Sequence, residues 1–245
     1  MKNRLEILDI WVDPVSVEEA VERVRMFLNG DKPHAIFAVN PEKNFSVPKD
    51  PALYQVFKNA DLLIPDGIGV VLAARILYGE KIERIPGVEF MGHICNLAIL
   101  ENKSVFIYGS REDVSSSAAE KLKARHPGLI IAGRSNGYVR DENMKELIKK
   151  INASGASILF LALGSPKQEK WFVKYAPLLK HVRVCQGIGG TLDTIAGNVK
   201  RAPIIWQKSS AEWLYRLLSE PKRIRRQKVL PIFAYRTLKV KLMAR

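Results

Sequence analysis

The chain has very little with which to hold a metal ion or build a disulfide framework: of its 245 residues, two are cysteines and four are histidines. Cys95 and Cys185 stand alone in apolar surroundings without a CxxC spacing, so both are expected to be buried free thiols. His34, His93, His126 and His181 are scattered, and no metal site or cofactor motif is visible. The N-terminus, MKNRLEILDIWVDPVS, lacks the apolar stretch and the small-residue cleavage site of a signal peptide. No apolar run reaches the roughly 18 residues needed to span a bilayer. These absences lead to the expectation of a protein made and kept in the cytosol. Internal repeats and low-complexity stretches are also missing.

What is present is enough apolar sequence for one sizeable core, 47% of residues, and a strong excess of positive charge. The formal net charge is +14, and it is unevenly placed: residues 200–245 hold 13 Lys and Arg against Glu212 and Glu220, leaving only +3 for residues 1–199. Such asymmetry points to an anionic partner for the C-terminal part, whether lipid, a diphosphate or nucleic acid.

Residues 1–196 alternate short apolar runs with helix-length periodic segments, the pattern of a catalytic domain of the α/β class, with a Rossmann-like, mostly parallel sheet and helices on both faces. Strands are expected at Ala35–Val39, Asp61–Ile64, Ser104–Tyr108, Leu129–Gly133, Ile158–Ala162 and Val182–Gln186. A first helix is expected after Ser16, with Glu19 completing a capping box and Gly30 ending it. Others are expected near Gly69–Leu77, Val88–Leu100, Asp113–Arg125, Asp141–Ala153 and Lys167–Tyr175. From residue 197 to 245 the texture changes. Pro203, Pro221 and Pro231 divide a basic helical appendage into short segments that mix cations with Trp213, Leu214, Leu217, Phe233, Tyr235 and Leu238. A basic amphipathic segment of this kind suits an anionic membrane surface; a solvated helical face packed on the body is the alternative.

In open α/β sheets ligands bind beyond the carboxyl ends of the strands. Four segments end strands with polar or glycine-rich sequence. FAVNPEKN places Asn40 and Glu42 after a strand, in a position that also fits an Asx turn. LLIPDGIGV places Asp66 on a strand-to-helix turn, where it reads either as a helix N-cap or as a reactive carboxylate. Its Gly67 and Gly69 lack the third glycine of a dinucleotide-binding turn. LFLALGSPKQEKW opens a helix carrying Lys167 and Gln168, whose free N–H groups suit phosphate or a nucleobase carbonyl. QGIGGTLDTIAGNVKRAP brings Gly187, Gly189 and Gly190, where backbone can approach a ligand closely.

In order and spacing, NPE, PDGIGV, ERIPGVEF, ALGSPKQEKW and GIGGTLDTIAGNVKRAP, followed by EWLYRLLSEPKRIRR, resemble the WecG/TagA/CpsF glycosyltransferases, glycosyltransferase family 26, over nearly the whole chain. The resemblance implies an inverting transfer of N-acetylmannosamine from its UDP form onto polyprenyl-diphosphate-linked N-acetylglucosamine, in synthesis of teichoic acid or a similar surface polymer. It implies Asp66 as general base, Asn40 orienting a sugar, Arg84 and Gln168 lining the pocket, and Gly187, Gly189 and Gly190 bordering the nucleotide. Arg216, Arg223 and Arg226 would fold over the site and balance the diphosphate charge in place of a metal ion. The partners implied are a UDP-sugar donor, the lipid-carried acceptor and the inner face of the cell membrane, with a homo-oligomer left open. One departure is Ala38, where many relatives carry threonine; UDP-N-acetylmannosaminuronate and UDP-glucose therefore stay open as donors. A nucleic-acid-binding module is disfavoured, because the tail interleaves its charges with aliphatic residues and shows no recognition-helix pattern. A nicotinamide oxidoreductase lacks its glycine and its acidic residue, and a non-catalytic sugar-nucleotide sensor fits poorly with Asp66.

Overall fold

The structure, a computed structural model, describes residues 3–199, 202–208, 212–219 and 227–243. Near the N-terminus β1 (Leu5–Ile7) and β2 (Ile10–Val12) form a small antiparallel hairpin. The main sheet has six parallel strands: β3 (His34–Val39), β4 (Leu62–Pro65), β5 (Ser104–Gly109), β6 (Ile130–Ser135), β7 (Ile158–Ala162) and β8 (Val184–Gly187), in the order β4-β3-β8-β7-β5-β6. All six match expected runs to within two residues at each end. Every residue of β7 is buried, as parallel strands covered on both faces require. Pro65 is tolerated because it ends an edge strand.

One face of the sheet is covered by α1 (Val17–Leu28), α5 (Gly87–Leu100), α6 (Glu112–Arg125) and α9 (Thr191–Ala196), packed on Ile36, Ile64, Ile107, Phe160 and Val184. Ser16 caps α1 through the expected capping box with Glu19. On the other face α3 (Pro51–Lys58), α4 (Ile68–Tyr78) and the hairpin cover the β3–β4 half. There α7 (Met144–Ala153) and α8 (Lys167–Tyr175) cover the β5–β7 half. The short α2 (Lys43–Ser46) follows β3. The connections leaving β5 and β7, neighbours in the sheet, run in opposite directions, which makes this pair the topological switch point of the sheet.

Beyond residue 199 the described helices are α10 (Ile204–Lys208), α11 (Glu212–Ser219) and α12 (Val229–Met243). Pro231 does not divide this region as the sequence suggests. It sits in the first turn of α12, where its missing N–H has no intrahelical acceptor to lose. Helix α12 packs on α4 and inserts Phe233 into the core beside Val70, while Arg236 pairs with Asp9 at 2.8 Å. Ile232, Tyr235, Leu238 and Leu242 remain exposed. No described helix is long and apolar enough to cross a membrane.

Both thiols are free and buried, as expected. Loss of solvation pushes Cys95 up to about 12 and Cys185 well above the usual thiol range. A chromogenic disulfide reagent is therefore expected to titrate neither thiol in the native protein and both after denaturation; prompt native labelling of either would contradict the packing.

Candidate active site

The β3 and β4 ends form one surface. The backbone N–H of Asp66 continues the ladder by donating to the Val39 carbonyl at 3.0 Å. After β3, Asn40 accepts the Lys43 amide on its side-chain oxygen at 3.3 Å, three residues on rather than the two of an Asx turn, at the start of the short α2. Pro41 then lies flat against the PDG turn. A Cβ on Gly69 would come 2.7 Å from Pro41 Cγ, and one on Gly67 would come 3.0 Å from Asn40 Cβ. These two glycines serve packing between the NPE and PDG segments, and the contact places Asn40 beside the turn that carries Asp66.

Asp66 does not cap its own helix. The N-cap of α4 is Gly67, without a side-chain hydrogen bond. The half-buried Asp66 carboxylate instead accepts the Gly87 amide on Oδ1 at 3.0 Å, at the first turn of α5. The loop between α4 and α5 closes the geometry, since Ile85 N–H donates to the Pro65 carbonyl at 2.8 Å and Arg84 Nε donates to the Asp66 carbonyl at 2.9 Å. A carboxylate held at a helix N-terminus with a guanidinium on its own backbone is fixed in position at the sheet's carboxyl edge. There it can accept a proton from a hydroxyl that attacks a neighbouring electrophile.

Gly87 links this half to the next. Its carbonyl accepts Gln186 Nε2 at 3.2 Å from the end of β8, and its Cα faces Ala38, whose Cβ lies 3.9 Å from where a Gly87 Cβ would stand. The other Gln186 amide atom, Oε1, is buried without a partner among the described residues. On the far side of β8, Gln168 of α8 accepts the Gly189 amide on Oε1 at 3.0 Å. The same side chain covers Gly187 so closely that a Cβ there would meet Gln168 Nε2 at 2.5 Å. Gly190 caps α9 and is exposed. Lys43 spans from α2 to α8, with Nζ 2.7 Å from Glu169 Oε1 and bonded also to the Ser165 hydroxyl.

From the C-terminal region, Glu212 of α11 reaches the site and is nearly buried there, 3.3 Å from Arg84 Nη2. Arg216 falls on α11, with its side chain outside the described residues; Arg223 and Arg226 lie wholly outside them.

Asn40, Asp66 and Arg84 are thus in one contact network, Gln168, Gly187 and Gly189 in a second, and Gly87 with Gln186 joins the two. The sequence reading singled out neither Gly87 nor Gln186, although ERIPGVEF contains the first and GIGG is preceded by the second. It also left Lys43, Glu169 and Glu212 unassigned. A cavity of about 380 Å³ lies elsewhere, at the end of edge strand β6 between Glu112, Arg134, Asn136 and Lys150, and contains none of the expected site residues. Among the described residues no three His, Cys, Asp or Glu gather as a metal-binding group.

The family model described as "Glycosyl transferase WecG/TagA/CpsF family" matches residues 5–245. Three curated relatives all bear the name N-acetylglucosaminyldiphosphoundecaprenol N-acetyl-beta-D-mannosaminyltransferase. The protein from Bacillus spizizenii W23 is 38% identical over 87% of this chain and 82% of its own length. That from Bacillus subtilis 168 is 36% identical over 83% and 78%, and that from Staphylococcus aureus MRSA252 is 32% identical over 97% and 93%.

Proposed function

Because the chain belongs to the WecG/TagA/CpsF glycosyltransferase family, we propose that it transfers N-acetylmannosamine from UDP-N-acetylmannosamine to N-acetylglucosamine carried on a polyprenyl diphosphate. The observation that carries this reading is the Asp66 carboxylate, fixed between the Gly87 amide and the β4 end, with Asn40 and Arg84 beside it and the glycine-rich turn after β8 across from it.

In the step that follows, a hydroxyl of the acceptor sugar attacks the anomeric carbon of the donor and Asp66 takes the hydroxyl proton. The bond from that carbon to the diphosphate oxygen breaks, and UDP leaves with the electron pair. Attack from the face opposite UDP inverts the anomeric centre. Asn40 orients a sugar, Arg84 and Gln168 line the pocket, Gly187, Gly189 and Gly190 border the nucleotide, and no step calls for a metal ion. The charge on departing UDP is balanced by guanidinium groups, which bind phosphate in a bidentate manner. Arg216, Arg223 and Arg226 supply them when the C-terminal segment lies over the site. The Glu212–Arg84 pair supports such a placement, since it already brings α11 to the β4 end. Ala38 faces Gly87 beside the point where Asp66 is held, which supports a part for the side chain at 38 in the choice among UDP-N-acetylmannosamine, UDP-N-acetylmannosaminuronate and UDP-glucose.

Residues 1–196 form the catalytic body and residues 197–245 the appendage that meets the membrane. The appendage carries +11 of the net charge together with exposed Tyr235, Leu238 and Leu242 on α12. Each Lys or Arg close to anionic lipid contributes about 1 kcal/mol, which supports a peripheral position on the inner membrane face, beside a lipid-carried acceptor.

The test is UDP release from a panel of UDP-sugars with and without a short-chain lipid-diphosphate N-acetylglucosamine. Release from UDP-N-acetylmannosamine that depends on the acceptor is expected; release from no donor, or release indifferent to the acceptor, contradicts the proposal. Arg223→Gln and Arg226→Gln are each expected to lower turnover by about 10- to 100-fold, the loss of one charge-assisted hydrogen bond. The melting temperature should stay near that of the unaltered protein. Full turnover in both variants would remove these arginines from the mechanism.

A further inference from the structure

Lys43 stands directly after the β3 end, beside Asn40, where a cation invites reading as a phosphate ligand. Its surroundings argue otherwise. The ammonium donates to Glu169 Oε1 at 2.7 Å and to the Ser165 hydroxyl, and it lies 5.0 Å from the centre of the Phe57 ring. The Lys43 side chain is 12% exposed and that of Glu169 0%, so the carboxylate is fully buried and the ammonium largely withdrawn from solvent. Two oxygen acceptors and an aromatic face occupy the ammonium from within the protein.

A buried ion pair is a poor source of stability, because desolvating both charges offsets most of their attraction. What it supplies is a fixed separation between the elements that carry it, and here that separation matters. Strands β3, β8 and β7 are consecutive in the sheet, and the pair passes from the segment after β3 to the helix after β7. It therefore bridges β8, whose end carries Gly187 and the turn to Gly190. Each partner adjoins a residue of the candidate site. Lys43 donates its backbone N–H to the Asn40 side chain, and Glu169 follows Gln168, which accepts the Gly189 amide.

We propose that Lys43 and Glu169 are positioning residues: a buried strut that sets the distance between Asn40 on one side of β8 and the Gln168–Gly189 contact on the other. Its kinetic consequence rests on the transferase reading, whereas its structural consequence does not. Glu169 Oε2 has no partner among the described residues, so removing Lys43 alone strands a buried carboxylate and confounds folding with position. The informative variant is the double substitution Lys43→Met with Glu169→Leu, which removes both charges and keeps an apolar contact.

Two readouts on the full chain decide the matter: melting temperature together with kcat, and hydrogen exchange of the Gly189 amide. The double variant is expected to melt close to the unaltered protein, to exchange the Gly189 amide about tenfold faster, and to lose about 10²-fold in kcat, the effect of a displacement of about 1 Å at a reacting centre. Glu169→Gln, which keeps the volume and one oxygen for Lys43, should show the same exchange change in smaller degree and covers the case in which the double variant does not fold. Unaltered Gly189 exchange in the folded variants overturns the strut. So does a double variant that regains full turnover along with its melting temperature, since the pair would then serve folding alone. Should the unaltered protein transfer no sugar, the functional proposal fails while the exchange measurement still decides the strut.

Discussion

Asp66→Asn is expected to lower transfer by about 10²- to 10⁴-fold, the range that a positioned general base contributes, with little change in folding stability. The separation of the two effects follows from the geometry. The bond that fixes the side chain is an acceptor contact, Gly87 N–H to Oδ1 at 3.0 Å, and the asparagine oxygen can accept it equally well. The neighbouring anchors are made by backbone: the Asp66 N–H donates to Val39 and the Asp66 carbonyl accepts Arg84. Substitution therefore leaves these anchors in place and removes the capacity to take a proton. Steady-state rates with saturating donor and acceptor, measured beside a thermal melt, check both halves. Turnover within a few-fold of the unaltered chain would take the general-base role from Asp66, while a collapse in melting temperature would show that the carboxylate's charge supports the fold.

Gly109→Ala is expected to have the largest effect on folding. Gly109 ends β5 with φ of 136°, in a region that residues with a side chain rarely adopt, and an added Cβ would lie 2.4 Å from both the carbonyl carbon and the oxygen of Ala162. That neighbour is backbone of β7, paired with Gly109 in the sheet register, so it can yield only if the β5–β7 ladder opens. Backbone strain and overpacking together amount to about 3 kcal/mol or more, a fall of roughly 6–12 °C in melting temperature for a chain of this size. Differential scanning calorimetry of the variant is the check, and an unchanged melt would mean that the β5 end is looser than the structure shows.

The sheet was legible because parallel strands covered on both faces must be nearly continuous apolar runs, and Ile158–Ala162 and Ser104–Gly109 are such runs. The helices that cover them carry either a cap signal, as α1 does at Ser16, or a sustained periodic face. What escaped was short or punctuated. The three-residue strands β1 and β2 are too brief to show alternation. Helix α3 begins with a proline, although Asp50 accepting the Ala52 and Leu53 amides and Pro51 at the first helical position form a regular N-terminal signal. In the same way Pro231 reads as a break and sits inside the first turn of α12.

For the site, polar residues at strand ends could be found one by one, which is how Asn40, Asp66 and Gln168 were identified. Their connections could not, because the joining contacts are remote in the chain. Lys43 and Glu169 are 126 positions apart, Arg84 and Glu212 are 128 apart, and Gln186 meets the Gly87 carbonyl across 99. Nothing local distinguishes Gly87 from any glycine near a helix start; its role comes from lying between the ends of β4 and β8. The glycines of PDGIG read only as an incomplete dinucleotide-binding turn, and the structure gives them the Pro41 ring as neighbour.

The most direct measurement of the central claim is mass spectrometry of a short-chain polyprenyl-diphosphate N-acetylglucosamine after incubation with the protein and UDP-N-acetylmannosamine. A product heavier by one N-acetylhexosamine residue, formed by the unaltered chain and absent with Asp66→Asn, is the predicted result. An acceptor of unchanged mass, under conditions where the Bacillus subtilis relative extends it, would contradict the account.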